Sequence, residues 1–255
     1  MPDPKGRARG VEGPCVRGRY PMTRRRWIAD EASADRAALT GEHAHHLIRV
    51  LRARVGQEFD IVANGVLYGA RVDKISEDRV EFELKAELPA STPAPVTILL
   101  SIFKFDRMEW AIEKCTELGV AKIIPVIARR TDSHLVSASA KRVDRWRRIA
   151  MQASEQSHRV TPPEISAPMK LPDATKLSAQ TKIVLSESEE QTTLRELLDE
   201  DHSHASTLLA IGPEGGWTED ELQLFHENGW SSATLGKTIL RAETAAIAAV
   251  TIATR

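Results

Sequence analysis

From Val96 onward the chain repeats one arrangement: a short apolar run, then a segment whose apolar residues recur at helical spacing. Val96–Ile102, Ala121–Ile127, Lys182–Ser186, Thr207–Ile211 and Ser232–Leu235 read as strands. Arg107–Leu118, Ser139–Ser157, Thr192–Leu198, a helix opened by Thr218–Glu221 and the Ala-rich Glu243–Thr254 read as helices. Strands alternating with helices specify a parallel sheet covered on both faces, because each crossover lays a helix on the sheet. Gly119 supplies the stop for the first of these helices, and Thr218 with Glu221 has the spacing of a capping box.

The pattern changes upstream. Leu88–Pro95 (LPASTPAP) is a Pro-rich linker, and the segments before it are short and alternating. Gln57–Ala63, Val66–Val72 and Arg79–Leu84 are strand-like, with Asn64-Gly65 marking a hairpin. Gly41–Leu51 has helical spacing, and a small β-barrel with one helix is the economical reading. The division expected is therefore an extension over residues 1–21, a barrel over 22–90 and an α/β domain over 96–255.

Charge is close to balanced, 35 basic against 36 acidic residues, but unevenly distributed. Met1–Arg54 carries twelve Lys/Arg against six Asp/Glu, whereas Glu187–Glu227 carries twelve acids and the single base Arg195. A basic lobe suits nucleic-acid phosphates; solvated surface accounts for the same charges. Apolar runs fall short of the roughly 20 residues a bilayer requires. The start MPDPKGRARG lacks the apolar core of a secretory signal, so a cytoplasmic location is expected. Cys15 and Cys115 have no metal-ligand spacing, and free thiols are expected.

Three motifs carry candidate chemistry. Ile211–Trp217 (IGPEGGW) runs from a strand end through a glycine turn to a capped helix, where open α/β sheets bind ligands. It lacks the Lys-Ser/Thr of a P-loop and the G-x-G-x-x-G of a dinucleotide site. Leu235–Ala246 (LGKTILRAETAA) places Arg241 and Glu243 just before a small-residue helix. Glu155–Arg159 (EQSHR) ends a helix rich in Lys and Arg. Each is also compatible with turn geometry, helix packing or solvated surface alone. His45 and His46 read as packing or RNA contacts rather than metal ligands, since no third ligand is in range.

Residues 24–253 resemble the RsmE-type family, the small-subunit rRNA uridine-N3 methyltransferases. The matching pieces are HHLIRVLR (residues 45–52), KFDRMEWAIEKCTELGV (104–120), Glu155-Gln156 with Arg159, Gly212–Gly216, and Leu235-Gly236 with Ile239–Ala245. The resemblance implies a PUA-like β-barrel followed by a SPOUT domain with a trefoil knot, forming a homodimer. It implies S-adenosyl-L-methionine as cofactor and N3 of a uridine in 16S ribosomal RNA as target. The cofactor pocket would use Leu185, Ser186 and Glu187; Ile211, Gly212, Pro213 and Gly215; and Leu235, Gly236, Ile239, Leu240, Arg241 and Thr244. Arg159, Glu155 and Arg241 would be the catalytic group, with Arg159 or Arg241 stabilising the uracil anion. Arg24, Arg25, Arg26, Arg49 and Arg52 would contact RNA, with Trp27 offering a stacking face. Lys237 stands where the family has Arg, and Ala242 where Thr is common. No metal is expected. The rival readings are a SPOUT enzyme for transfer RNA and a non-enzymatic ribosome-assembly factor.

Overall fold

A computed structural model describes residues 26–90, 92–200 and 206–254. The expected extension, Cys15, Arg24 and Arg25 lie outside the described residues. The first sheet is built from β1 (Trp27–Ile28), β2 (Glu31–Ala32), β3 (Arg36–Thr40), β4 (Glu58–Ala63), β5 (Val66–Ile75) and β6 (Arg79–Glu87), in the order β1-β4-β5-β6-β3-β2. Asn64 and Gly65 both take positive φ, 50° and 79°, as a two-residue hairpin turn demands. The sheet curls around Trp27, Leu39, Leu47, Phe59, Ile61 and Phe82. Between β3 and β4 the chain forms α1 (Gly41–His45), then widens into a π-helical turn at His46–Val50 in place of one continuous helix. Trp27 is fully buried, with its ring 5.4 Å from that of His46 and 5.9 Å from that of His43. It is a core residue, and the expected stacking face for RNA is not presented.

The second sheet contains β7 (Val96–Ser101), β8 (Lys122–Ile127), β9 (Glu164–Ile165), β10 (Met169–Lys170), β11 (Thr181–Leu185), β12 (Thr207–Ile211) and β13 (Ser231–Ala233). Its order is β10-β8-β7-β12-β11-β13, with β9 also on β8, and every pairing is parallel. The helices are α2 (Phe105–Glu117), α3 (Ser133–Ser139), α4 (Val143–Gln156), α5 (Leu171–Ala174), α6 (Leu194–Glu200), α7 (Glu219–Glu227) and α8 (Ala242–Ala253). Ile98, Leu99 and Leu100 of β7 are all fully buried, each contributing about 1.5–3 kcal/mol by leaving water. Such a run suits only a strand covered on both faces. One face packs under α2, α4 and α8; the other is sealed by Trp217, Phe225 and Trp230.

Helix ends explain two local features. Gly119 takes φ 100°, and its N–H and that of Val120 donate to the carbonyls of Thr116 and Cys115, which is the Schellman ending of α2. His158 takes φ 62° at the end of α4, and the Arg159 N–H returns to the Ser154 carbonyl at 2.9 Å. The expected helix Ser139–Ser157 is thus shorter, preceded by α3 and a tight turn at Ala140–Arg142. Much of its positive charge is engaged within the chain: Arg145 binds Glu109 at 2.6 and 2.8 Å, Arg147 binds Asp144 at 3.2 Å, and Arg142 lies over the Phe105 ring.

Candidate active site

β12 lies between β7 and β11, and the chain then crosses back over β11 to place β13 on its far side. Loops leaving the carboxyl ends of these strands diverge where the order reverses, which opens a crevice in sheets of this kind. A cleft of about 1160 Å³ lies there, ample for a nucleoside-sized ligand by the range of roughly 300–1,000 Å³ usual for such sites.

Loop 1 begins at Leu185 and Ser186, both 9% exposed, and continues through Glu187 and Ser188. The Ser186 N–H donates to the Ala233 carbonyl at 3.0 Å, and the Ser186 and Ser188 hydroxyls pair at 2.8 Å. Farther along, the main-chain N–H groups of Thr192 and Gln191 hold the Glu189 carboxyl below its usual range. Glu187, Glu189 and Glu190 make this wall anionic.

Loop 2 is the glycine turn. Gly216 takes φ 68° and its N–H donates to the Pro213 carbonyl at 2.9 Å. A Cβ at Gly212 would stand 3.2 Å from the Trp217 indole nitrogen, whose N–H donates to the Leu185 carbonyl at 3.1 Å. That bond ties loop 2 to loop 1. Arg130, just past β8, donates through Nη1 to the carbonyls of Gly215 at 2.6 Å and Trp217 at 3.2 Å. The Thr218–Glu221 capping box forms as expected and starts α7.

Loop 3 runs from Leu235 to Arg241. Gly236 takes φ 123°, Ile239 is 79% exposed, and Arg241 is the exposed N-cap of α8. Arg107, in the first turn of α2, also lines the cleft and donates to Glu214 at 2.6 Å.

The three loops anticipated from sequence therefore meet at one cleft, lined by Leu185, Ser186, Glu187, Ile211, Gly212, Pro213, Gly215, Leu235, Gly236, Ile239, Leu240 and Arg241. Thr244 does not line it. Its side chain is exposed, because Ala242 and Ala245 occupy the side of α8 facing the cleft.

Arg159 and Glu155 also stand apart from the cleft. Arg159 is 9% exposed and donates to the Thr116 carbonyl at 2.7 Å and the Val120 carbonyl at 2.9 Å. Those carbonyls precede β8, at the edge where strands start, whereas the cleft lies where strands end. A six-residue strand separates the two edges by about 20 Å, so within one chain Arg159 cannot reach a ligand in the cleft. Burial brings its guanidinium down to about 10, which leaves it charged at neutral pH. Glu155 is fully buried where the two sheets meet. Its backbone carbonyl accepts from the Arg26 N–H at 2.9 Å, its carboxylate accepts from the Ile28 N–H at 3.4 Å, and His43 Nε2 lies 3.5 Å away. Arg26, expected on RNA, turns its guanidinium onto the His158 carbonyl. Arg49 and Arg52 are exposed on the barrel beside the exposed Val50 and Leu51.

Sequence reasoning passed over Arg107 and Arg130. Arg130 follows the carboxyl end of β8, and that position alone was a usable signal. Arg107 lies within the stretch carrying the resemblance, where helical periodicity drew the reading toward its apolar neighbours.

The lining suits a nucleoside-bearing ligand that carries charges of both signs. Leu185, Ile211, Leu235, Leu240 and Ala245 supply an apolar wall, loop main chain supplies polar edges, and both acids (Glu187, Glu189, Glu190, Glu214) and bases (Arg107, Arg130, Lys237, Arg241) line the rest.

Residues 90–254 match the RNA methyltransferase domain family, and residues 39–85 match the RNA methyltransferase PUA domain family. The ribosomal RNA small subunit methyltransferase E of Rickettsia conorii is 32% identical over 212 residues, covering 82% of this chain and 84% of that protein. Its counterpart from Synechocystis sp. is 31% identical over 217 residues, covering 81% and 69% respectively. The crystal structure of the Neisseria gonorrhoeae ribosomal RNA small subunit methyltransferase E bound to S-adenosyl methionine superposes with a TM-score of 0.78 at 33% identity. It covers 89% of this chain and 94% of that one. With both domain families matched in order and relatives aligned along most of its length, the chain belongs to the ribosomal RNA small subunit methyltransferase E family.

Proposed function

We propose that the chain transfers a methyl group from S-adenosyl-L-methionine to N3 of a uridine in 16S ribosomal RNA of the small subunit. The observation that carries this is the meeting of three loops at one cleft with an apolar wall, in a fold shared at 33% identity with a relative bound to that methyl donor. When bound, the donor supplies a methyl group on a positively charged sulfur, an electrophile that needs no protein nucleophile. The chain's task is then placement and charge. Loops 1 and 2, tied by the Trp217–Leu185 bond, hold one side of the cleft. Arg241 at its rim sets a guanidinium beside the incoming uracil, where it lowers the cost of negative charge on the carbonyl oxygens as N3 gives its proton to water and takes the methyl group. In this reading Arg241 takes the catalytic role. Arg159 caps the carboxyl end of α2, and Glu155 clasps the two sheets together.

Residues 22–90 are proposed to dock RNA through Arg49 and Arg52, and residues 96–255 to carry methyl transfer. Separate sheets and cores support that division. A homodimer is proposed because Trp110 and Ile239 expose 47% and 79% of their surface. A trefoil knot is proposed because β13 lies outside β11 while α8 returns to pack on α2, β7 and β12. No helix among the described residues is long and apolar enough to cross a membrane, and the proposed location is the cytoplasm.

Two measurements test the function. Calorimetry should detect S-adenosylmethionine binding, and mass spectrometry of small-subunit rRNA nucleosides should find N3-methyluridine lost when the protein is deleted. Unchanged rRNA methylation with intact donor binding would move the target to another RNA. Absence of donor binding would leave the barrel as the functional part, as in an assembly factor.

A further inference from the structure

Arg107 belongs to none of the three loops, yet it pairs with loop 2 and with the start of α8, the helix that loop 3 enters. It projects from the first turn of α2, a helix that starts right after central strand β7. Nη1 donates to Oε1 of Glu214 at 2.6 Å, and Nε lies 3.8 Å from Oε1 of Glu243. Glu214 sits inside the glycine turn of loop 2; Glu243 sits in the first turn of α8, two residues beyond Arg241. The Glu214 carboxylate is partly wet, at 38% exposure, whereas that of Glu243 is 7% exposed. Oε2 of Glu243 is buried with no hydrogen-bond partner among the described residues. The start of α8 favours a negative charge there. Beyond that, Arg107 lies beside this carboxylate as its counter-charge, and a buried carboxylate is sensitive to losing such a partner.

We propose that Arg107 is a positioning residue for methyl transfer: by pairing with one carboxylate in loop 2 and one at the start of α8, directly after loop 3, it sets the width of the cleft between Gly212-Pro213 and Leu240-Arg241. A planar guanidinium can engage two acids at fixed angles, and a lysine ammonium on its flexible stem cannot do so with the same geometry. The inference rests on the reading of this cleft as the methyl-donor site. Arg107 acts through Glu214 and Glu243, so its effect must vanish when those partners are already gone.

The test is calorimetry with S-adenosylmethionine on the full chain, alongside thermal melting and steady-state methyl transfer. The variants are Arg107→Ala, Arg107→Lys, Glu214→Gln and Arg107→Ala/Glu214→Gln. Glu214 lies on a surface turn, so its variant retains folding even if the helix variant suffers. Losing the partly exposed pair should weaken donor affinity about fivefold, the ratio equivalent to about 1 kcal/mol. Arg107→Ala should exceed that, Arg107→Lys should recover part of the loss, and the double variant should bind no worse than Arg107→Ala. Wild-type donor affinity and KM in Arg107→Ala would overturn the proposal. So would wild-type affinity in Glu214→Gln, or a double variant weaker than Arg107→Ala by the full factor lost in Glu214→Gln, since Arg107 would then act without that carboxylate. Absence of binding in the wild type itself is a different failure, which removes the methyl-donor reading and this proposal with it.

Discussion

Replacing Arg159 by Met separates a helix cap from a catalytic arginine, because it keeps the stem and removes the charge. Two charge-assisted bonds to the Thr116 and Val120 carbonyls are worth about 1.5–3 kcal/mol each. Against them stands the burial that brings the guanidinium down to about 10, a cost of roughly 3 kcal/mol. The balance favours the native residue by about 0–3 kcal/mol, and a chain of this length loses roughly 2–4 °C of Tm per kcal/mol. At the middle of that range, about 1.5 kcal/mol, scanning calorimetry should find a Tm lower by about 3–6 °C, with donor affinity unchanged. Single-turnover methyl transfer per folded molecule should fall less than about twofold, since the side chain lies a strand's length from the cleft. A Tm equal to wild type together with a thousandfold drop in turnover would refute the cap. Arg159 would then have to reach the reacting base from the second subunit of a dimer.

Gly212→Ala places a methyl group 3.2 Å from the Trp217 indole nitrogen and strains its bond to the Leu185 carbonyl. Losing a buried bond costs about 1–3 kcal/mol, so calorimetry should show donor affinity reduced about tenfold. Burial pushes the Cys115 thiol up to about 12 from an ordinary value near 9. In a Cys15→Ser background it should therefore resist thiol reagents at pH 8 until the protein unfolds. Its contribution to stability is full below pH 9 and fades toward pH 12, because the unfolded chain loses this proton first. Wild type should thus lose stability faster than Cys115→Val across that window, and parallel Tm curves would contradict this. On the barrel, Arg49→Ala with Arg52→Asn should flatten the salt dependence of RNA binding by about 0.7–0.9 per lost phosphate contact. Asn suits position 52 because the backbone there has φ 52°.

Much of the fold was legible because its signals are local. Thr207–Ile211 is a strand with the bounds read from its apolar run, and the Asn64-Gly65 hairpin and the Thr218–Glu221 capping box form where their residue types direct. β3, β9 and β10 carry weak patterns of their own. They are held by partners already in the sheets, β6 and β2 for the first and β8 for the other two, so pairing rather than propensity makes them strands. The segment Glu155–Arg159 shows the same division at the site. Residue types there suit catalysis, but His158 and the Arg159 N–H end α4, and the Arg159 guanidinium caps α2 from the far edge of the sheet.

Sequence alone determined the alternation of elements, the linker and the loops after Ile211 and Leu235, since hydrophobic period and turn chemistry act over a few residues; the loop after Leu185 was implied by the family resemblance. Tertiary structure alone decided which arginines face the cleft. Arg107, Arg130 and Arg241 gather there from distant parts of the chain while Arg26 and Arg159 are consumed in caps. An arginine's task is set by the acceptor placed opposite it, and only the packed fold makes that placement.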